Sequence, residues 1–112
     1  MVYFALQHPQ DDVKQLIEHA LGRMGYVSLG EGEETRANVL VLEPASGPHL
    51  EAARRLRELC PGLPIVCVSV LPPFPEALEL RPAAYLVKPF TIAGLRATVE
   101  SVLNTRMRGM TS

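Results

Sequence analysis

Short apolar runs alternate along the chain with longer segments in which apolar residues recur at helical spacing. Five of the runs predict strands, because they are rich in strand-forming residues and are bounded by turn residues. Their residues do not alternate between apolar and polar, which is typical of a parallel sheet covered on both faces. The runs span residues 2–6, 26–29, 39–42, 64–70 and 84–87.

Apolar residues three and four positions apart predict amphipathic helices between these strands. Gly25 supplies a C-terminal stop for the first helix, and Thr91 is a capping residue for the last one. A proline-rich segment leaves room for only a short helix before the fifth strand. The first three helices are predicted at residues 11–24, 48–60 and 76–80, and the last begins after Thr91.

The composition is that of one folded domain, since 47% of the 112 residues are hydrophobic and 21% are charged. We expect the domain to span residues 1–106 and residues 107–112 to form a frayed tail. No segment approaches the roughly 20 apolar residues that cross a membrane, and no secretory signal is visible. The sequence therefore predicts a cytoplasmic protein without a membrane partner.

Charge and cysteine spacing argue against several classes of function. A net charge of −1 gives no reason to expect binding to nucleic acid, which positive charge drives. Cys60 and Cys67 fit neither a redox CxxC pair nor a zinc site, so we expect buried thiols in a reducing compartment. The sequence indicates no bound metal and no cofactor.

Polar residues stand at the points where the predicted strands end. Because the carboxyl ends of parallel strands meet at one edge of a sheet, and ligands of such sheets bind there, we expect these residues to converge. They are Gln7, His8, Glu43, Ser69 and Lys88.

The segment YLVKPFT resembles the fifth strand of CheY-like response-regulator receiver domains, and PIVCVS and VLVLEP resemble the fourth and third strands. The resemblance covers residues 2–103 and implies a flavodoxin-like three-layer sandwich, with a five-stranded parallel sheet in the order 2-1-3-4-5. It also implies a phosphorylation site that contains Ser69 and Lys88. Pro89 would follow a cis peptide bond, and Tyr85 would be the aromatic residue that changes rotamer on activation.

Glu43 stands where the resemblance implies the phosphoacceptor aspartate. Three interpretations of this residue remain open. Its carboxylate forms a structural ion pair with Lys88, or it mimics a phosphorylated aspartate, or it is a catalytic acid. The last would need a second carboxylate nearby, and the sequence offers none.

The acidic pair that holds a divalent metal in receivers is also missing. Leu6 and Gln7, or Gln7 and His8, stand at the corresponding positions. The only aspartates of the chain, Asp11 and Asp12, fall at the start of the first helix. Magnesium prefers carboxylate oxygens, and phosphoryl transfer relies on the metal, so we expect autophosphorylation to fail.

Only residues 30–38 separate the second and third strands, where receivers have a full helix. Nine extended residues reach about 30 Å, which is too little for a return path that includes a helix of several turns. We therefore expect the second helix to be lost or reduced to a turn. One face of the sheet near strands one and three would then be uncovered and apolar.

Other residues of the site also have structural interpretations. Ser69 either accepts a hydrogen bond from Lys88 or completes the end of its strand. Without phosphorylation, Tyr85 is expected to be a fixed ring that faces the surface or a partner. His8 has no partner at ligand spacing, so we expect neither a metal ligand nor a phosphohistidine.

The sequence thus predicts a phosphorylation-independent, receiver-like signalling module that is not an enzyme and acts by binding another protein, in a pathway of the two-component type. A homodimer could form through the uncovered face, or through Tyr85 and the last helix. The alternative is a flavodoxin-like small-ligand binder or enzyme that uses a pocket around Glu43, Ser69 and Lys88.

Overall fold

The computed structural model describes residues 1–111, with side chains described as far as Thr105. Five strands form one parallel sheet, in which every neighbouring pair runs in the same direction. The strands are β1 Tyr3–Gln7, β2 Val27–Ser28, β3 Val39–Leu42, β4 Ile65–Ser69 and β5 Ala84–Val87. Their order in the sheet is β2-β1-β3-β4-β5, as predicted.

Helices cover both faces of the sheet. They are α1 Asp11–Gly22, α2 Gly47–Leu59, α3 Pro75–Leu78 and α4 Ile92–Thr111. Val39 and Val41 of β3 pack in the core formed with α1 and α4, whereas Leu40 and Leu42 pack in the core formed with α2. Because all four side chains are buried, β3 is apolar without alternation, and the predicted flavodoxin-like three-layer sandwich is confirmed.

The helix expected between the second and third strands of a receiver is absent, as the short connection predicts. A single turn of 3₁₀ helix, Glu34–Arg36, stands in its place. Backbone hydrogen bonds tie the ends of the connection to β1: Leu29 donates to Phe4 and Asn38 donates to Tyr3. The chain therefore crosses β1 on its way from β2 to β3 with few residues to spare.

The prediction that the loss of this helix uncovers the sheet near β1 and β3 is wrong. Ala5 on β1 and Leu40 and Leu42 on β3 are buried. Helix α2 packs on both strands, and the 3₁₀ turn packs on β1 and on α2. The small side chain of Ala5 also needs little cover, so one helix and one turn close this face.

Several elements are shorter than their sequence patterns. Strand β2 has two residues instead of four, because the N–H of Tyr26 donates to Leu21 of α1 and only the following residues reach β1. Helix α1 ends at Gly22, and Gly25 takes a positive φ of 86° in the turn that follows.

The prediction that residues 107–112 form a frayed tail stays a prediction; the side chains of these residues, and residue 112 as a whole, lie outside the described part of the chain. None of the described helices combines the length and the apolar character of a membrane-crossing helix.

Candidate functional site

Three polar residues are buried at the carboxyl edge of the sheet. His8 follows β1, Glu43 follows β3, and Ser69 is the last residue of β4; their exposed fractions are 4%, 4% and 0%. Lys88 follows β5 at the same edge. Burying polar groups is costly unless they are hydrogen-bonded or paired, so their partners define what this edge can do.

Glu43 and Lys88 form an ion pair. The Nζ atom of Lys88 lies 3.5 Å from Oε2 of Glu43, and their side chains are 18% and 6% exposed. The other carboxylate oxygen of Glu43, Oε1, accepts a hydrogen bond of 3.0 Å from the N–H of Ala45. Both oxygens of this carboxylate therefore have partners within the protein, as a buried charge requires.

His8 is the nearer neighbour of the same lysine. Nζ of Lys88 lies 3.0 Å from Nε2 of His8, and Nδ1 of His8 accepts a hydrogen bond of 3.1 Å from the N–H of Gln10. The sequence placed His8 at this edge but did not predict a role for it. Its position directly after β1 predicts that it lies at this edge, but it does not predict the contact with Lys88.

Burial lowers the pKa of His8 below its ordinary value of 6.5, and the positive charge of Lys88 lowers it further. The carboxylate of Glu43 acts in the opposite direction. His8 is therefore predominantly neutral at pH 7. We call His8, Glu43 and Lys88 together the edge cluster.

Ser69 lies outside the hydrogen bonds of the edge cluster. Its hydroxyl accepts a hydrogen bond of 3.1 Å from the N–H of Leu71, which fits the interpretation that it completes the strand end. Only its backbone meets the lysine, since the N–H of Lys88 donates to the carbonyl of Ser69.

Tyr85 is held by the loop between β4 and α3. Its hydroxyl donates to the carbonyl of Leu71 at 2.9 Å, and its ring packs against the core beneath α2. Burial raises the pKa of Tyr85, which keeps the hydroxyl proton available for this bond. These contacts fit a ring held at the surface, and that Tyr85 stays in one rotamer remains a prediction.

The Lys88–Pro89 peptide bond is cis. Two residues later, the hydroxyl of Thr91 accepts a hydrogen bond of 2.9 Å from the N–H of Gly94, so Thr91 caps α4 as predicted. Lys88 therefore lies in the tight connection between β5 and α4.

The residues of this edge do not fit a magnesium ion. No group of three or more His, Cys, Asp or Glu side chains suited to a metal occurs among the described residues. Glu43 is the single carboxylate of the edge cluster, and Lys88 already neutralises it. Asp12 lies in the first turn of α1, where its carboxylate accepts the N–H of Val13. Magnesium requires several oxygen ligands, which this edge does not offer.

A cavity of about 390 Å³ lies beside the edge cluster. It shares His8 with the cluster, but Glu43, Ser69 and Lys88 do not line it. The sequence-based alternative was a ligand pocket around those three residues. The cavity does not lie there but closer to β2. Side chains that line this cavity include Lys14, Glu18, Glu31 and His49.

The backbone superposes closely on solved receiver domains. A CheY-like response-regulator receiver domain protein from Methanospirillum hungatei matches with a TM-score of 0.83 over 97% of this chain and 98% of the other, at 15% identity. The chain has the receiver fold.

Other solved structures with the receiver fold give the same result. A two-component response regulator from Clostridium difficile has a TM-score of 0.77 at 19% identity, with 93% of this chain and 97% of the other covered. The chemotaxis protein CheY4 from Vibrio cholerae has a TM-score of 0.75 at 18% identity, with coverage of 91% and 98%. No family model and no curated protein matches the chain in sequence.

Proposed function

We propose that this protein is a signalling module of the two-component type that regulates another protein by direct binding, without being phosphorylated. The observation that carries the proposal is the state of Glu43. The acceptor position of the receiver fold holds a carboxylate whose two oxygens are already bound by Lys88 and by the N–H of Ala45.

The surroundings of Glu43 support the loss of phosphoryl chemistry. Phosphoryl transfer depends on positioning and on neutralisation of the developing charge, which a metal normally supplies. The residue that follows β1 is His8, which is neutral at pH 7 and cannot serve as a carboxylate ligand. Nothing among the described residues of this edge replaces the missing metal ligands, and we include a non-enzymatic role in the proposal.

The contacts of Glu43 favour an ion pair over a catalytic acid. Catalysis by a carboxylic acid requires a second group placed to exchange a proton with the substrate. Glu43 is paired with Lys88, which in turn contacts His8.

The binding surface that we propose lies at the β5 edge of the sheet. Four large apolar side chains are exposed in this part of the chain: two directly follow β4, one lies on α3 and one lies on β5. We call them the β5-edge surface: Val70, Leu71, Leu78 and Val87. Exposed apolar side chains are typical of protein interfaces when they form one patch, and the proposal is that these four do. A second copy of the chain is one such partner.

The proposal of phosphorylation independence is tested with a small phosphodonor. Incubation with acetyl phosphate and magnesium, followed by intact-mass spectrometry, is expected to leave the mass unchanged. The control is Glu43→Asp, which restores the shorter acceptor but not the metal ligands, and it is also expected to remain unmodified. A stable phosphorylated form of the natural protein would overturn the proposal.

The cavity beside the edge cluster favours one other function, that of a small-ligand binder. Its volume of about 390 Å³ lies within the range of ligand pockets, although its lining is more polar than is usual for them. Thermal melting with a panel of nucleotides, flavins and metabolites tests this function. A reproducible rise in melting temperature that Lys14→Met abolishes would support the ligand binder over the protein-binding module.

The two cysteines are unpaired in the structure, and Cys67 is buried. Burial raises the pKa of Cys67 to about 12, which makes it an unreactive thiol. Free thiols suit a reducing compartment, so we include a cytoplasmic location in the proposal.

A further inference from the structure

His8 offers fewer hydrogen-bond acceptors than its neighbours require. A neutral imidazole has one acceptor nitrogen, and its other nitrogen carries a proton. Two donors nevertheless face the ring, the N–H of Gln10 at 3.1 Å from Nδ1 and the amine of Lys88 at 3.0 Å from Nε2. Each neutral tautomer of His8 can therefore satisfy only one of them.

Protonation of His8 removes this last acceptor. When the ring takes up one proton from solvent, both nitrogens become donors, so neither the N–H of Gln10 nor the amine of Lys88 faces an acceptor any longer. The ring also becomes a cation 3.0 Å from the ammonium of Lys88, at a site that is only 4% exposed and weakly screened by water. The protonated ring and Lys88 cannot keep their present separation without a large cost.

Four titratable groups from different parts of the fold act on the charge of His8. Lys88 after β5 and His49 on α2 oppose protonation, whereas Glu43 after β3 and Asp12 on α1 favour it. Burial opposes protonation more strongly than any of these charges does, and the pKa of His8 is lowered. The change from one neutral acceptor to two donors therefore takes place below pH 6.5 and not at neutral pH.

Lys88 has another partner within reach. Its Nζ atom lies 3.0 Å from His8 and 3.5 Å from Oε2 of Glu43, so a small movement of the lysine away from His8 would shorten the existing ion pair. The loop from His8 to Gln10 leads directly into α1. Within this loop, the N–H of Gln10 donates a hydrogen bond to Nδ1 of His8. Loss of His8 from the cluster therefore frees both the lysine and the start of α1.

We propose that His8 is a proton-operated switch, in which the neutral ring binds Lys88 and the protonated ring releases Lys88 to Glu43 and frees the loop before α1. This inference goes beyond the proposed function and does not rest on it, because it concerns contacts within one chain. Under this proposal, the pH of the solution controls the contacts at the edge of the sheet where the receiver fold carries its usual site.

Side-chain and amide NMR spectra of the full chain, recorded from neutral to acidic pH, test the switch. We expect the nitrogen signals of His8 to report a neutral ring at pH 7 and protonation with a midpoint below 6.5. The amide signals of Gln10, Ala45 and Lys88 should shift with the same midpoint. Protonation of His8 without those amide shifts, or a midpoint above 6.5, would overturn the proposal.

Two variants of Lys88 separate its charge from its shape. Lys88→Met removes the cation beside the ring and should raise the midpoint of His8. Lys88→Arg keeps the cation and should leave the midpoint low. Equal midpoints in both variants would contradict the role of Lys88.

A variant of His8 provides the test that does not depend on those lysine variants. His8→Gln cannot take up a proton in this pH range, so the joint shift of the Gln10, Ala45 and Lys88 amides should disappear. If these amides still move together in His8→Gln, another group is responsible and the proposal is wrong.

Discussion

Glu43 and Lys88 depend on each other in unequal ways. The glutamate is almost fully buried, whereas the lysine retains some contact with water. Removing the lysine leaves a buried carboxylate without its counter-ion, while removing the negative charge leaves an ammonium that can still reach solvent and His8. The two halves of the pair therefore differ in what their loss should cost.

We expect Lys88→Met to lower the free energy of unfolding by about 2 kcal/mol, because it strands the buried charge of Glu43. Glu43→Gln should cost only about 1 kcal/mol, because the amide oxygen can still accept the N–H of Ala45. Urea denaturation followed by circular dichroism measures both. Lys14→Met is the control, since Lys14 is the other lysine of the chain and makes no ion pair among the described residues.

The same variants distinguish the two structural interpretations of Glu43. An ion-pair remnant requires that Glu43→Gln lose stability and keep its binding to a partner. A mimic of phosphorylated aspartate requires the reverse, with weaker binding and nearly unchanged stability. A larger loss of stability in Glu43→Gln than in Lys88→Met would contradict the unequal dependence of the two residues.

His8 should make the protein less stable in acid. Its pKa is lowered in the folded state, so below pH 6.5 the unfolded chain binds more protons and the free energy of unfolding falls as the pH falls. The contribution is fully present above pH 6.5 and is lost on the way down to the pKa of the folded state. Urea denaturation across this range should show a shallower loss in His8→Gln than in the natural protein. Parallel curves for the two proteins would exclude His8 as the cause.

The sequence predicts the location of the edge cluster but not the contacts within it. Each member directly follows a strand, and parallel strands bring such residues to one edge, so the location was predictable. The contact between His8 and Lys88 was not, because it joins side chains 80 residues apart whose rotamers depend on the packed fold. The pattern shows which edge a residue occupies but not which neighbour it touches.

Among the elements, α2 covers the side of the sheet on which a second helix was expected. It packs on β1 and β3, and the 3₁₀ turn Glu34–Arg36 packs against it. The sequence predicted the missing helix from the length of the connection. It could not predict that the face stays covered, because cover depends on how far α2 and the turn extend across Ala5.

Arg57 fixes the C-terminal end of α2 to two loops. Its guanidinium donates to the carbonyls of Leu63 at 2.7 Å, Leu80 at 2.8 Å and Pro61 at 2.9 Å. We expect Arg57→Ala to lower the free energy of unfolding by about 2 kcal/mol, because these carbonyls lose a charged donor. Arg55→Ala on the exposed side of the same helix should change it by less than about 0.5 kcal/mol. Equal losses in thermal or urea denaturation would contradict this role.

At the scale of the whole molecule, the two ends of the sheet differ. Strand β2 is a two-residue edge, and Arg36 stacks over the ring of Tyr3 close to it. Strand β5 is a four-residue edge that carries the exposed Val87, and the other members of the β5-edge surface follow β4 or lie on α3. A partner that buries apolar area is therefore expected at β5.

We expect the natural protein to self-associate at high concentration and Val70→Glu to weaken that association, because a charge in an apolar interface must be desolvated. Val70 is 62% exposed, so the variant should keep its fold. Leu16→Glu is the matched control, since Leu16 is exposed on α1, away from the β5-edge surface. Sedimentation velocity over a concentration series measures the effect. A natural protein that remains monomeric throughout would exclude a second copy as the partner.

Our central proposal is that this protein keeps the receiver fold but has lost its phosphorylation chemistry. An amide NMR titration with magnesium and beryllofluoride, a mimic of an aspartyl phosphate, tests it most directly. We predict a spectrum that does not change, because Glu43 is bound by Lys88 and by Ala45 and no cluster of metal ligands surrounds it among the described residues. Saturable shifts centred on Glu43, Ser69 and Lys88 would show that the site still binds the phosphoryl mimic, and they would contradict the proposal.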